Sequence, residues 1–334
     1  MSASGTVEIM AMQWKVAIIG TTRNCRDEME PALQTFTTEQ NLALLNEIVI
    51  VDGGSTDGTW ELLQQWAARV PKLRVYSVPG ANISRGRNEA IQRTDADIIV
   101  TFDSGTRYCD DWLKWMLEPF EHQGADVVGG KTHLVGKTLF ESCMAGFREP
   151  TKDAIQPSHR GCAYKREVWE RIGGYPEHVE AGEDTWFNTQ WHALGYTYVH
   201  APQAEQYWRV RSSWKGIFRM NRRNTRGHIR LREPWGIWTI TAITALHILL
   251  PVLFVWGFLQ PVAWLIAVIL YGLNLAKRML QKGRWREFMN PVRIVVGAYA
   301  LLACDLGMTI GTLEGLIALV KDKMPKVRGS SNDI

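Results

Sequence analysis

Between Lys15 and Gly130 short apolar runs alternate with segments of helical periodicity, and this alternation limits the fold more than any other feature of the chain. Val16-Ala17-Ile18-Ile19, Ile48-Val49-Ile50-Val51, Leu73-Arg74-Val75-Tyr76, Ile98-Ile99-Val100 and Ala125-Asp126-Val127-Val128 read as strands. Between the second and third, Trp60, Leu63, Trp66, Ala67 and Val70 recur at helical spacing, with Thr56 or Asp57 as the N-cap. Alternation of this kind predicts a mostly parallel sheet with helices on both faces. From Leu134 to Val199 the pattern is less regular, and Arg160-Gly161-Cys162-Ala163-Tyr164 and Gly173-Gly174-Tyr175-Pro176 read as turns in a second half of the same domain.

Ligands of such sheets sit beyond the C-terminal strand ends, and the polar clusters fall there. Phe102-Asp103-Ser104-Gly105 places a carboxylate just after an apolar strand. Much later, Gly182-Glu183-Asp184 places two adjacent carboxylates in a polar segment that runs into Thr185-Trp186-Phe187. An acid at the edge of a parallel sheet can hold a divalent cation or a ribose hydroxyl. A second acid across the cleft can take a proton from an attacking hydroxyl. Val51-Asp52-Gly53-Gly54-Ser55-Thr56-Asp57-Gly58-Thr59 follows the second strand and lacks the spacings of a dinucleotide fingerprint or a P-loop. Taken alone it is a tight turn and a helix cap.

The 334 residues have room for one large domain or two smaller ones. Hydrophobic residues make up 46 %, but the apolar excess lies after residue 235, and the first two-thirds read as an ordinary charged soluble protein. Five cysteines (Cys25, Cys109, Cys143, Cys162, Cys304) show no CxxC spacing and are odd in number. That argues against a disulfide framework and a structural zinc site, and fits a reducing compartment. The N-terminus has no basic stretch followed by an apolar core, so the N-terminal domain is expected in the cytosol.

The net charge is +4, and its distribution matters more than its size. Arg209, Arg211, Lys215, Arg219, Arg222, Arg223, Arg226, Arg230 and Arg232 occur with no acid among them. A solvated helical face or a nucleic-acid site would produce such a run, but the apolar segment Gly236 to Gly257 follows immediately. A polybasic run beside a membrane span marks the cytosolic side and favours anionic headgroups, so anionic membrane lipids and no nucleic acid are expected as partners. Gly236 to Gly257 is long enough to span, Phe258-Leu259-Gln260-Pro261 makes a turn, and Val262 to Ala276 returns as a shorter span. Lys277, Arg278, Lys282, Arg284 and Arg286 then put both ends of this hairpin on the cytosolic side.

The last apolar segment, Pro291 to Val320, reads as a third crossing, with a re-entrant or in-plane helix as the alternative. A crossing puts the basic tail Lys321, Lys323, Lys326 and Arg328 outside, against the charge rule. Gly307, Gly311 and Gly315 repeat every four residues, a seam that admits another helix and offers a route to a homo-oligomer. Asp305 and Glu314 are costly in lipid and are expected to face protein, water or a headgroup. Trp208, Trp214, Trp235, Trp238, Trp256, Trp264 and Trp285 lie near the predicted boundaries, where an interfacial belt explains them.

In combination the motifs of the first domain resemble those of family-2 glycosyltransferases, inverting enzymes of GT-A fold. The segment Asp52 to Thr59 resembles their nucleotide-binding loop, and Asp52 is similar to the acid that contacts the base. Ile18-Ile19-Gly20-Thr21-Thr22-Arg23-Asn24 resembles the first strand and its uridine-contacting turn, with Thr21 where proline is common. Ser84-Arg85-Gly86-Arg87-Asn88 resembles an Ala-Arg-Asn segment, with Gly86 in place of alanine. Asp103-Ser104-Gly105 stands at the Asp-x-Asp metal motif, and Glu183-Asp184 at the acceptor-side acid pair. Gln206-Tyr207-Trp208-Arg209-Val210 resembles the Gln-x-x-Arg-Trp motif of processive polysaccharide synthases, with Val210 replacing tryptophan. Trp214 to His228 resembles the interfacial helix of bacterial transferases in exopolysaccharide assembly.

The resemblance runs from Lys15 to Arg232. It implies an α/β GT-A domain, mostly parallel with helices on both faces, followed by C-terminal transmembrane helices. The expected organisation is a cytosolic catalytic domain over residues 13–208 and a basic interfacial region over 209–234. Two to three transmembrane helices over 235–320 and a basic flexible tail over 321–334 complete it. By resemblance, Asp184 is the general base and Glu183 an orienting or acceptor-binding group. Thr21, Arg23, Asp52, Arg87, Asp103 and Arg209 contact the donor, and Trp208 stacks on an acceptor sugar. Asp103 is the metal ligand, for Mg²⁺ or Mn²⁺, with a weakened dependence because Gly105 replaces the second carboxylate. His192 and His200 are assigned to a helix and a strand end rather than to a metal. The expected activity is transfer of a hexose from a nucleoside diphosphate sugar, UDP-linked by resemblance, to a lipid-linked saccharide or lipid at the cytosolic face of the plasma (inner) membrane. Alternatives are a processive synthase acting as an oligomer, a glycolipid synthase, or an inactive sugar-nucleotide-binding scaffold.

Overall fold

The apolar runs become strands in the predicted order. The structure is a computed structural model and describes residues 14–148, 156–232, 237–280 and 290–321. The chain begins with β1 (Val16–Thr22), α1 (Arg26–Phe36), α2 (Glu39–Leu44), β2 (Glu47–Asp52), α3 (Thr59–Ala67), β3 (Leu73–Ser77), α4 (Ile83–Gln92) and β4 (Ile98–Phe102). It continues with β5 (Thr106–Tyr108), α5 (Trp112–His122), β6 (Val127–Val135), α6 (Leu139–Arg148), β7 (Gly161–Lys165), α7 (Arg166–Ile172), α8 (Glu183–Ala193) and β8 (Tyr198–Arg209). Among the described residues four helices follow: α9 (Trp214–Arg230), α10 (Ile237–Trp256), α11 (Val262–Leu280) and α12 (Pro291–Lys321). Two compact units result. One holds the residues up to Val135 with Glu149–His178 and Glu183–Arg209; the other holds Gly136–Arg148, Val179–Gly182 and the chain from Val210 onward.

In the first unit an eight-stranded sheet has the order β3-β2-β1-β4-β7-β6-β8-β5. The pairs β1–β2, β2–β3, β1–β4 and β6–β8 are parallel, while β4–β7, β6–β7 and β5–β8 are antiparallel. Side chains alternate across each strand, which sorts the core into two layers. Val16, Ile18, Ile48, Ile50, Ile98 and Val100 pack with Leu33, Phe36, Leu63 and Trp112 on one face. Ala17, Ile19, Val49, Val51 and Ile99 pack with Ile91, Val168, Phe187 and Trp191 on the other. Apolar residues at every strand position therefore fit a sheet covered twice, as predicted.

Three local expectations change. Gly161–Lys165, in the stretch read as a turn, is β7, antiparallel to β4. Its five residues are too few to show periodicity, and pairing with a fully buried strand decides its conformation. The strand expected at Ala125 begins at Val127 and runs to Val135. The N-cap of α3 is Gly58, in a left-handed conformation at φ 91°, while Asp57 accepts a 3.0 Å bond from the Thr59 amide.

In the second unit, Ser213 caps α9 by accepting from the Gly216 amide at 3.1 Å. Its buried residues Ile217, Met220, Asn221, Thr225 and Gly227 follow helical spacing. That face lies along α12 at the glycine seam. A Cβ on Gly307 would stand 2.5 Å from the Phe218 carbonyl oxygen, one on Gly311 would overlap the Arg222 carbonyl, and one on Gly315 would stand 2.7 Å from Ile229 Cβ. The seam expected to admit a second copy is thus closed by the chain's own α9, which corrects the route to a homo-oligomer.

The arginine run also meets acids that its own sequence lacks. Glu314 accepts Arg222 Nε on both oxygens at 3.0 and 2.9 Å, and Arg226 bonds Glu180. Ion pairs this exposed contribute about 0–1 kcal/mol each, so helix packing rather than charge holds α9 to α12. Asp305 is fully buried, facing protein as expected. Among the described residues α12 alone is long and apolar enough to cross a membrane, with half of its apolar window buried; the apolar runs over 244–256 and 262–274 are shorter.

Candidate active site

The order of the sheet positions the site. From β1 the chain moves outward to β2 and β3, then returns to place β4 on the other side of β1. The loops after β1 and β4 diverge at this reversal and leave a crevice beyond their C-terminal ends. Asp103 follows β4 there. The antiparallel register pairs Phe102 with Gly161, so the next residues out, Asp103 and Arg160, face each other with Oδ2 and Nε 3.9 Å apart. Tyr108 ties the two loops together. Its hydroxyl donates to the Arg160 carbonyl at 2.5 Å and accepts from the Asp103 amide at 3.0 Å. The Arg160 guanidinium lies 4.1 Å from the centre of the Trp208 ring, a cation–π contact that holds it over the site.

Asp184 lies in the first turn of α8, where its Oδ1 accepts from the Thr185 amide at 2.8 Å. Burial pushes its pKa up, but nearby His159, Arg160 and Arg87, with the amide of Thr185, more than offset this and hold it below the usual aspartate value. His159 is neutral at neutral pH, so the two guanidiniums do this in working conditions. Asp184 is therefore an ionised, half-buried carboxylate close to a fixed cation.

Glu183 and Arg87 form a buried pair with Nη1 and Oε1 3.0 Å apart and side chains 8 % and 9 % exposed. Burial works against the charge on Arg87, and the Glu183 carboxylate outweighs it, so the guanidinium stays protonated. Asn88 next to it donates to the carbonyl of Tyr175 at 2.9 Å and accepts from the Tyr175 amide at 2.8 Å. The segment whose Arg87 is expected to contact the donor thus also clamps the turn and helix that carry Asp184.

A buried chain of polar groups backs this clamp. Tyr164 bonds Tyr175, whose hydroxyl is 2.8 Å from His159 Nδ1, and His159 Nε2 is 3.0 Å from Asn188 Oδ1. Asn188 Oδ1 also accepts from Trp191 Nε1, so His159 donates from Nε2 and accepts at Nδ1. Burial, reinforced by the charge on Arg87, pushes the His159 pKa down to about 4. Unfolded, the ring binds its proton near 6.5, so the unfolded chain takes up that proton first as the solution is acidified. Stability is expected to fall by about 3 kcal/mol between pH 6.5 and pH 4 through this one group. Thermal melts of the protein and of His159→Asn across that range check it; an equal slope in both assigns the loss elsewhere.

The remaining predicted residues divide. Asp52 is buried and accepts from the amides of Gly54 and Ser55 at 2.9 Å each, shaping its own loop. That loop is tied to the turn after β1, because Gly53 donates to the Thr22 carbonyl at 2.8 Å and Thr56 to Asn24 Oδ1 at 2.8 Å. Arg23 is exposed on that turn, and Arg209 ends β8 as an exposed residue. Thr21 explains Gly86. A Cβ at position 86 would overlap Thr21 Oγ1, so threonine at 21 requires glycine at 86, and the two departures from the resembled pattern compensate each other.

Gln206 is buried against Thr132, and Trp208 gives a ring face to Arg160. Arg160, Tyr108 and His159 were not singled out by sequence reasoning. None sits in a recognisable motif, and strand register alone brings Arg160 to Asp103. Among the described residues no group of three or more His, Cys, Asp or Glu is arranged to hold a metal ion. Asp103 is 45 % exposed with open space at Gly105, which fits a cation that takes its other ligands from a diphosphate and water.

This mixed sheet, with its reversal between β1 and β4 and its helices on both faces, is a GT-A fold. Residues 18–142 match the family model for glycosyl transferase family 2. The glycosyltransferase AglE of Haloferax volcanii is 24 % identical over 196 residues, 56 % of this chain and 64 % of that protein. The succinoglycan biosynthesis protein ExoA of Rhizobium meliloti is 27 % identical over 163 residues, 45 % of this chain and 49 % of that one. The chain thus spans less than two-thirds of either relative. A solved mannosyltransferase of Pyrobaculum calidifontis, in complex with GDP-Man and Mn²⁺, superposes with a TM-score of 0.58 at 20 % identity over 91 % of this chain and 88 % of its own, and shares the fold.

Proposed function

We propose that the protein is a membrane-bound inverting glycosyltransferase that moves a hexose from a nucleoside diphosphate donor to a lipid-linked acceptor at the cytosolic face. The observation that carries this reading is the cluster of Asp103, Arg160 and Asp184 at the sheet reversal, held by Tyr108 and Trp208. Asp184 takes the proton from the acceptor hydroxyl as its oxygen attacks the anomeric carbon on the face opposite the diphosphate. That bond forms as the bond to the diphosphate oxygen breaks, with no covalent intermediate. Arg160 meets the charge that develops on the departing diphosphate. Asp103 would hold a divalent cation, which when bound adds positive charge at the same diphosphate.

The names of relatives in surface-polysaccharide synthesis support a saccharide acceptor, and the apolar surface of the second unit supports a lipid-linked one. The GDP-Man carried by the solved neighbour makes GDP-linked sugars a necessary arm beside the UDP-linked ones. The test is nucleotide release by the purified protein in bacterial lipid extract with a panel of UDP- and GDP-sugars. Lipid-dependent release from one donor supports the reading; donor binding without release under every condition favours an inactive scaffold.

Position 105 offers a second check. A Cβ there meets nothing within 4 Å, so Gly105→Asp adds a carboxylate without a clash. The concentration of Mg²⁺ or Mn²⁺ needed for half-maximal release is expected to fall about tenfold, one added oxygen ligand being worth on the order of 1.4 kcal/mol. An unchanged metal titration would remove Asp103 as the metal ligand.

A further inference from the structure

We infer that α12 does not cross the membrane: it lies flat along the cytosolic interface, its apolar stripe towards the acyl chains and α9 on the headgroup side. The inference rests on the proposed membrane-bound reading and on the expectation from sequence that Gly236 to Gly257 and Val262 to Ala276, the segments of α10 and α11, enter the bilayer as a hairpin.

Three observations carry it. The first is length. From Gly307 to Gly315 α12 is in contact with α9, which bears Lys215, Arg219, Arg222, Arg223, Arg226 and Arg230. Sinking α9 into hydrocarbon costs about 2.5–3.5 kcal/mol for each such residue, and the carboxylates of Glu314 and Glu180 at Arg222 and Arg226 would sink with it. Only residues 291–306 are left to cross, about 24 Å of helix against a core of about 30 Å. Even that piece is engaged, because Trp214 donates to the Tyr299 carbonyl at 3.1 Å.

The second is direction. Thr244 of α10 bonds Thr312 at 3.3 Å, and Tyr271 of α11 bonds the Ala298 carbonyl at 3.4 Å. Thr244 and Tyr271 lie about 18 and 14 Å from the hairpin turn, nearly level, whereas their partners are about 21 Å apart along α12. The helix therefore runs across the hairpin and not beside it. An upright hairpin leaves α12 flat.

The third is the surface. Val292, Val295, Tyr299, Leu302, Leu306, Ile310, Leu313, Ile317 and Val320 recur every three or four residues along the whole helix, and the first three and last four are exposed. At 3.6 residues per turn this stripe faces away from the glycine seam and so from α9. An apolar stripe below and a basic helix above match an anionic bilayer surface in both chemistry and order. Lys321 then stays on the cytosolic side, and the conflict with the charge rule disappears.

The test uses the full chain in sealed vesicles of phosphatidylglycerol and phosphatidylcholine. With the five native cysteines replaced by serine, nitroxide labels are placed through Val295→Cys, Leu313→Cys and Val320→Cys, with Leu259→Cys at the hairpin turn as reference. Power saturation with oxygen and a nickel chelate reads depth. The three α12 labels are expected within a few ångströms of one depth, about 5–10 Å below the headgroups, and the turn label much deeper or on the far side. A depth that runs through the midplane, with Val295 and Val320 on opposite sides, overturns the inference alone. A turn label in water on the near side overturns the membrane reading beneath it. If the cysteine-free protein does not fold, a biotin tag after Ile334 in the native chain reads the same question through streptavidin access. It is expected on the side of the N-terminal unit; protection there means that α12 crosses.

Discussion

Asp184→Asn is expected to lower kcat by about 10²- to 10⁴-fold and to leave donor affinity within about twofold. Asparagine keeps the shape of the side chain and the bond from the Thr185 amide to Oδ1 at 2.8 Å, so α8 should start where it does now. What disappears is the charge that accepts the proton. Because the guanidiniums of Arg160 and Arg87 hold Asp184 below the usual aspartate range, the proposed base is ionised at any working pH. His159, pushed down to about 4, adds no inflection near pH 6.5. The profile of kcat/KM should therefore stay level down to pH 5 on its acid side. Nucleotide release and donor titration measure both halves of the prediction, and unchanged turnover would remove Asp184 as the base. Glu183→Gln is the control. Glu183 is buried against Arg87, so its loss should show first in stability.

The second large effect is on the fold. Arg87→Ala is expected to destabilise the first unit by about 3–5 kcal/mol, because it leaves the Glu183 carboxylate buried without its partner. That corresponds to a fall in Tm on the order of 10 °C. Replacing Arg87 and Glu183 together with methionine removes both charges and should recover most of the loss, since desolvation of an intact pair nearly cancels its attraction. The resemblance predicts a different outcome, in which Arg87 contacts the donor. On that reading Arg87→Ala weakens donor binding at nearly constant Tm. Melting curves and donor titration on the same variant separate the two.

Much of the first unit was legible because its signals are local. Apolar runs announce β1 to β4, and turns rich in glycine and aspartate follow β2 and β4. Asp103 and the Glu183–Asp184 pair were readable for the same reason, each a carboxylate at an element boundary. Arg160 was not readable. Its role depends on β7 pairing antiparallel with β4, and on a tryptophan and a tyrosine from β8 and β5 that reach the same point. Division of labour within motifs was equally hidden. Asp52 and Arg87 are expected from sequence to contact the donor. The fold adds a second task that sequence does not show, since Asp52 also shapes its own loop and Arg87 pairs with Glu183 at the start of α8.

The sequence by itself determined the strand–helix alternation, the two-sided core and the carboxylates at the strand ends, because periodicity and turn chemistry act over a few residues. Tertiary structure decided which groups meet. It set Arg160 opposite Asp103, closed the glycine seam of α12 with α9, and gave the arginine run acids at Glu180 and Glu314. Such pairings are fixed by strand register and helix packing between distant segments, and no local pattern encodes the partner.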